Sequence, residues 1–435
     1  MLALFSIRLI VVLTVSPSPL VWPLACLFLM YNYFSLFNSF FNVALRFLQS
    51  FTQADSLSLF MVFLLFFIIY VAYINSLRFS SYKLIAFVFL CLTVFCFQVF
   101  TTSHLFYLYF YYEASLIPIL YIIIKWGSYP ERSLRAMIML VYTLLFGAPV
   151  LILIIFFNRT MGSWMYPIYG LSSPSFLFSL LIFLCFSVKL PIYGLHFWLP
   201  IAHVEAPTFG SVILARILLK LGGVGLLRLS PLVDQFSLAD STLSYFIVFI
   251  IYRSLVCCYQ SDLKRLIAYS SVAHIIVIPF LIMSNNSLAV QALILVMLLH
   301  GLSSTLLFMS VGILYSIFSS RQLLLMRGLV LTSPLFRFIL IITFLFTLSA
   351  PPLPSYVAEV FFILSSYILT PHIIFVVLLF AFFGLVYNLN WLMRTLFASR
   401  QDMVYSHTNM RFNLFLPIFS TLLAVLPFTS LFFLL

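Results

Sequence analysis

Val188-Lys189-Leu190-Pro191-Ile192-Tyr193-Gly194-Leu195-His196-Phe197-Trp198-Leu199-Pro200 sets a lysine and a proline at the end of an apolar run that starts near residue 175. About 20 apolar residues make a transmembrane helix. A proline inside one removes a backbone donor and disrupts the i to i−4 ladder. The carbonyls it frees are tolerated at membrane depth only beside protein or water. The stretch therefore reads as a broken membrane helix with a cation at the break.

The rest of the chain agrees with a membrane setting. Of its 435 residues, 65% are apolar and 7% are charged, where soluble proteins carry about 25% charged residues. Mean hydropathy is +1.23. So few charges cannot cover a water-soluble globule, and so many apolar residues exclude a disordered chain. The fold class expected is all-α, a polytopic transmembrane helix bundle. Met1–Val15, apolar with Arg8, reads as a first membrane helix, lacking the Arg- and Ser-rich character of a transit peptide.

Cys26, Cys91, Cys96, Cys185, Cys257 and Cys258 include no C-x-x-C pair and have no histidine at metal spacing. An iron–sulfur cluster needs a compact set of four thiolates. The cysteines read as packing residues, and the chain is expected to hold no redox centre or metal.

Fourteen spans are predicted, at 3–22, 24–44, 56–76, 84–101, 104–124, 135–157, 175–198, 208–229, 242–259, 264–284, 289–316, 334–369, 373–395 and 412–433. Prolines break the seventh at Pro191 and the twelfth at Pro351-Pro352-Leu353-Pro354. Loops after odd-numbered spans carry Arg78, Lys83, Lys125, Arg132, Arg135, Lys264, Arg265, Arg321, Arg327, Arg394, Arg400 and Arg411, against Arg46, Arg159 and Arg228 after even-numbered ones. By the positive-inside rule this asymmetry puts the odd loops on the negative side and both termini on the positive side. The net charge of +12 thus records topology rather than nucleic-acid binding.

Charges inside spans cost about 2.5–3.5 kcal/mol each at mid-helix and mark ion paths. The candidates are Glu113, Lys189, Lys220 and Glu359, with His274 and His300 as titratable imidazoles. A purely structural salt bridge, with Glu113 and Lys189 as the natural pair, is the alternative reading. Burial works against a charged form and a nearby opposite charge works for it. A carboxylate moving toward or away from Lys189 therefore switches whether the lysine keeps its proton. Spans 4–8 and 9–13, residues 84–229 and 242–395, each carry their break in the fourth helix and enter from opposite sides. That is the pattern of two inverted five-helix repeats within one integral membrane domain.

Several strings are specific: Tyr112-Glu113-Ala114-Ser115-Leu116-Ile117-Pro118; Trp126-Gly127; Pro130-Glu131-Arg132; the stretch from Val188 to Pro200 followed by Ala202-His203-Val204-Glu205-Ala206-Pro207; Leu218 to Gly223; Asp262-Leu263-Lys264; Ile267-Ala268-Tyr269-Ser270-Ser271 with His274; and His300-Gly301-Leu302. In this order, over roughly residues 105 to 370, the chain closely resembles the chain 4 family of antiporter-like membrane-arm subunits of NADH:ubiquinone oxidoreductase, respiratory complex I. The resemblance implies a proton-pumping subunit in which Glu113 pairs with Lys189, and Lys220, His274, His300 and Glu359 continue a hydrated relay. His203 and Glu205 match a further family motif and are secondary candidates. Arg216, where an apolar residue is usual, is a third secondary candidate; Ile201 and Ala358 are other departures, and they mark a divergent member.

The resemblance also implies no cofactor in this chain, with NAD, FMN, iron–sulfur clusters and ubiquinone in partner subunits. Partners would be other membrane-arm subunits, above all neighbouring antiporter-like chains, together with membrane lipids. The location implied is the mitochondrial inner membrane, from an organelle gene, with both termini facing the intermembrane space. Chain 5 of the same complex would add a long lateral helix after the last span, and this chain stops at Leu435. A cation/proton antiporter outside complex I and a non-pumping scaffold are the other readings. The Gly222-Gly223-x-Gly225 string reads as close helix packing rather than a phosphate loop.

Overall fold

A hydrocarbon layer offers backbone groups no partner, so an apolar run must satisfy its own hydrogen bonds, and a helix does so residue by residue. The computed structural model has helices where the apolar runs predict them. It describes most of residues 56–396, with gaps at 162–175, 231–238, 327–333 and 370–372 and at isolated positions that include Pro191, Tyr193 and Pro352. The expected spans 3–22, 24–44 and 412–433 lie outside the described residues, as does Cys26.

In chain order the helices are α1 Ser56–Ser76, α2 Tyr82–Thr101, α3 Leu105–Ala114, α4 Leu116–Trp126, α5 Arg132–Met161, α6 Phe176–Lys189, α7 Trp198–Glu205, α8 Thr208–Ile213 and, after a π-helical turn at Leu214–Leu218, α9 Leu219–Arg228. Then follow α10 Ala239–Cys258, α11 Leu263–Ile275, α12 Val277–Met283, α13 Ser287–Phe318, α14 Pro334–Thr347, α15 Pro354–Leu369 and α16 Ile373–Leu396. Among the described residues, seven helical stretches are long and apolar enough to cross a membrane. These residues form no strand; an isolated antiparallel bridge joins Asp262 and Gln322.

Both expected breaks are present: α6 stops at Lys189 and helix resumes at Trp198, and α14 stops at Thr347 before α15 starts at Pro354. Two more interruptions divide spans expected to be continuous. α3 ends at Ala114 and α11 at Ile275, each four residues before a proline, Pro118 and Pro279. Neither proline has an N–H to offer the carbonyl four residues back, which is where the ladder fails. The π-helical turn in the eighth span is a further departure from a regular helix.

The chain divides into two compact units, Met1–Lys189 with Glu205–Phe236, and Leu190–Val204 with Ser237–Leu435. The segment after the break at Lys189 therefore packs with the second unit, although it falls inside the expected repeat 84–229. In the first unit, Thr208–Arg228 is 94% buried whereas Arg132–Phe156 is 28% buried. Ile152 and Phe156 on α5, at 68% and 64% exposed, face outward as lipid-facing side chains do. Ile374–Leu396 is the corresponding outer helix of the second unit, 28% buried.

Candidate functional site

In the first unit the break in the fifth span creates the site. With α3 ending at Ala114, the Tyr112 carbonyl accepts from Ser115 Oγ at 2.7 Å and from Lys189 Nζ at 2.6 Å. The same ammonium lies 3.2 Å from the centre of the Tyr112 ring. A buried cation is thus held by a backbone dipole and an aromatic face. Tyr112 is fixed in turn by its hydroxyl, which donates to the Cys185 carbonyl at 3.2 Å, and by Phe186, whose ring centre is 4.8 Å away.

Glu113 stands next to this arrangement but is not ion-paired with Lys189. Among the described residues the ion pairs are Arg135 with Glu131 and Arg135 with Glu205. The direct Glu113–Lys189 bridge implied by the resemblance is therefore not formed, because Lys189 has the carbonyl freed one residue earlier. Glu113 Oε2 has no hydrogen-bond partner. A methyl group on Gly147 of α5 would lie 3.1 Å from both Glu113 Oε1 and the Tyr109 hydroxyl, so that glycine keeps room for the carboxylate.

Lys220 is buried and donates to the Ala215 carbonyl at 3.2 Å across the π-helical turn. A wider π turn leaves carbonyls off the regular i to i−4 ladder, and this is one. Arg216, within the same turn, is completely buried, and its guanidinium nitrogens have no hydrogen-bond partner. Glu205 is buried and ion-paired to Arg135 at 2.8 Å. That contact ties the end of α7 to the first turn of α5. Gly225 packs so tightly that a methyl group there would collide with the Phe186 ring, as expected of close helix packing.

In the second unit three candidates converge. His274, His300 and Glu359 line one cavity of about 60 Å³, together with Ser303, Ser304, Ser349, Ser355, Tyr387 and Asn388. The two imidazole centres are 6.0 Å apart. Ser349 Oγ donates to Glu359 Oε1, and Thr347 Oγ1 donates to Asn388 Oδ1 at 3.5 Å. Ser355 Oγ has no hydrogen-bond partner. A polar space of this size with an unmatched hydroxyl suits a small cluster of water.

His203, the remaining candidate, is fully buried in the second unit and stacks on Phe308, with ring centres 5.2 Å apart and planes 12° from parallel. Two cations read from the sequence as topological markers also have structural partners there. Lys264 Nζ and Arg321 Nη1 donate to the Val204 carbonyl at 3.3 and 3.1 Å, next to the end of α7, where orphan carbonyls favour cations.

Sequence reasoning missed several neighbours of the site. Tyr112 and Gly147 act through a carbonyl and through a missing side chain, which no residue pattern marks. Ser349, Tyr387 and Asn388 are small or common polar groups in apolar surroundings. Arg253, a charge inside the ninth span, was visible but overlooked. It is buried, and its guanidinium carbon lies 5.0, 5.5 and 5.3 Å from the rings of Phe249, Tyr252 and Tyr269.

Comparison with known proteins places this geometry in a family. Residues 102–386 match the family model described as NADH:quinone oxidoreductase/Mrp antiporter, TM. The NADH-ubiquinone oxidoreductase chain 4 of Lumbricus terrestris is 40% identical over 278 residues, covering 61% of this chain and 61% of that protein. The protein of the same name from Chondrus crispus is 35% identical over 381 residues, covering 84% and 75%. Thus the match reaches less than two thirds of the Lumbricus protein's length but most of the Chondrus one's. In fold, the chain is similar to a chain of respiratory complex I from Thermus thermophilus with bound NADH, at TM-score 0.84 and 20% identity over 98% of this chain and 94% of that one. A chain of the archaeal membrane-bound sulfane sulfur reductase is similar at TM-score 0.81 and 16% identity, over 98% and 93%. With its broken helices, buried lysines and a family match running from the fifth span to the last described helix, the chain belongs to the NADH:quinone oxidoreductase/Mrp antiporter transmembrane family.

Proposed function

We propose that this chain is a proton-translocating, antiporter-like membrane subunit of NADH:ubiquinone oxidoreductase. The observation that carries the proposal is the second-unit cavity, in which His274, His300 and Glu359 share a polar space of about 60 Å³, room for about four waters. Titratable groups around water inside an apolar bundle are what proton transfer needs. They are not needed to hold helices together.

Electrons flow in partner subunits, which carry NAD, FMN, iron–sulfur clusters and ubiquinone. A signal along the membrane arm alters the relation of Glu113 to Lys189. The ammonium leaves the Tyr112 carbonyl, and its proton passes by way of Lys220 toward His274, His300 and Glu359. Moving one charge against 100 mV costs about 2.3 kcal/mol, so the signal must change the charge states by at least that much. The chain works in the mitochondrial inner membrane, encoded in the organelle and flanked by other antiporter-like subunits and lipid. The odd loops face the matrix, and both termini face the intermembrane space.

The test is Lys189→Ala in the assembled complex, reconstituted in liposomes. The expected result is a lower number of protons pumped per NADH oxidised, with quinone reduction continuing. Unchanged pumping would support a scaffold role and overturn the proposal. A second reading, a cation/proton antiporter outside complex I, is favoured by the Mrp antiporters that share the family description. Copurification of this chain with NADH-oxidising, quinone-reducing activity decides against it.

A further inference from the structure

α14 ends in a turn that normally calls for glycine. The Ala350 N–H donates to the Leu345 carbonyl at 3.1 Å, a six-to-one closure of the Schellman type. The residue inside that closure, Ser349, has φ +52°, and among the described residues it is the one non-glycine with positive φ. Glycine is usual at this position because it adopts left-handed backbone without penalty. A serine there is strained, and such strain persists where the surroundings hold it in place.

The side chain that makes Ser349 unfavourable as a cap is the one that reaches the site. Ser349 is buried, and its hydroxyl donates to Glu359 Oε1 on α15, on the other side of the break. The contact lies in the cavity that also holds His274 and His300. We propose that Ser349 is a positioning residue for proton transfer at Glu359, a latch joining the helix break to the charge state of that carboxyl group. A hydrogen bond to a carboxylate is about twice as strong as one to a neutral acceptor. The latch therefore holds while Glu359 is ionised and loosens when it takes a proton. Proton occupancy is thereby felt at the joint between α14 and α15. This rests on the relay reading of Glu359 given above.

Ser349→Gly separates the hydroxyl from the backbone, since glycine suits φ +52° better than serine does. In the intact reconstituted complex the variant should assemble with thermal stability equal to or above that of the parent, yet lose most of the proton pumping assigned to this chain. The infrared carboxyl band of Glu359, identified by its loss in Glu359→Gln, should shift in Ser349→Gly. Ser349→Ala should lose pumping as well. Full pumping in Ser349→Gly overturns the latch and leaves the relay intact. Lost pumping with an unmoved band or with lowered stability overturns it too, as a purely structural role. Normal pumping in Glu359→Gln overturns the relay reading itself, and the latch with it.

Discussion

The two units keep ionisable groups at membrane depth by different means. The first holds Lys189 in close packing, on a carbonyl and an aromatic ring. The second gathers Glu359, His274 and His300 around hydroxyls and a polar cavity of about 60 Å³. Fixed protein dipoles solvate a charge without reorganising and let it go only when something moves. Hydroxyls and water rotate and pass protons on. In the proposed relay, the first site would release its proton only on a movement, and the second would pass protons on.

The largest expected effect comes from breaking the closely packed Lys189 site. Tyr112→Leu removes the ring under Lys189, a desolvated cation–π contact of about 2 kcal/mol, together with the hydrogen bond to the Cys185 carbonyl. Pumping per NADH in liposomes should fall severely while NADH oxidation continues. Normal pumping would show that the ring does not hold the ammonium. Next in size is a gain. Arg216 is buried without a hydrogen-bond partner, and a buried charge carries a desolvation penalty that an apolar side chain of similar volume does not. Arg216→Leu should raise the thermal stability of the complex, and a drop would mean that the guanidinium has a partner. The smallest effect belongs to the shared carbonyl of Val204. Lys264→Ala should cost about 1 kcal/mol or less, because Arg321 keeps the acceptor occupied. The pair Lys264→Ala and Arg321→Ala should cost more than the sum of the single changes, as groups sharing one partner do. Strict additivity would separate the two contacts.

Much of this was written in the sequence where hydropathy and proline carry the signal. The breaks after Lys189 and around Pro351–Pro354 followed from a missing donor in an apolar run; Lys189 and Lys220, set among apolar residues in the sequence, are buried. The interruptions after Ala114 and Ile275 were also spelled, by Pro118 and Pro279, but a proline inside a long apolar span does not announce whether the helix bends or stops. What could not be read was chemistry carried by the backbone. The Tyr112 carbonyl becomes an acceptor only because α3 ends where it does, and that diverts Lys189 from Glu113. The π turn before Lys220 leaves no residue signature. Ser349 reads as an unremarkable residue of the twelfth span until its backbone conformation shows a serine in a glycine's place.

The central claim is that both units lie on one proton path. Its most direct test is the number of protons pumped per NADH oxidised by the reconstituted complex carrying Lys189→Ala, Glu359→Gln or both. Groups in series predict that either change alone removes this chain's share and that the double variant pumps no less than either single one. Partial losses that add up in the double variant, or pumping that survives both changes, would contradict the account.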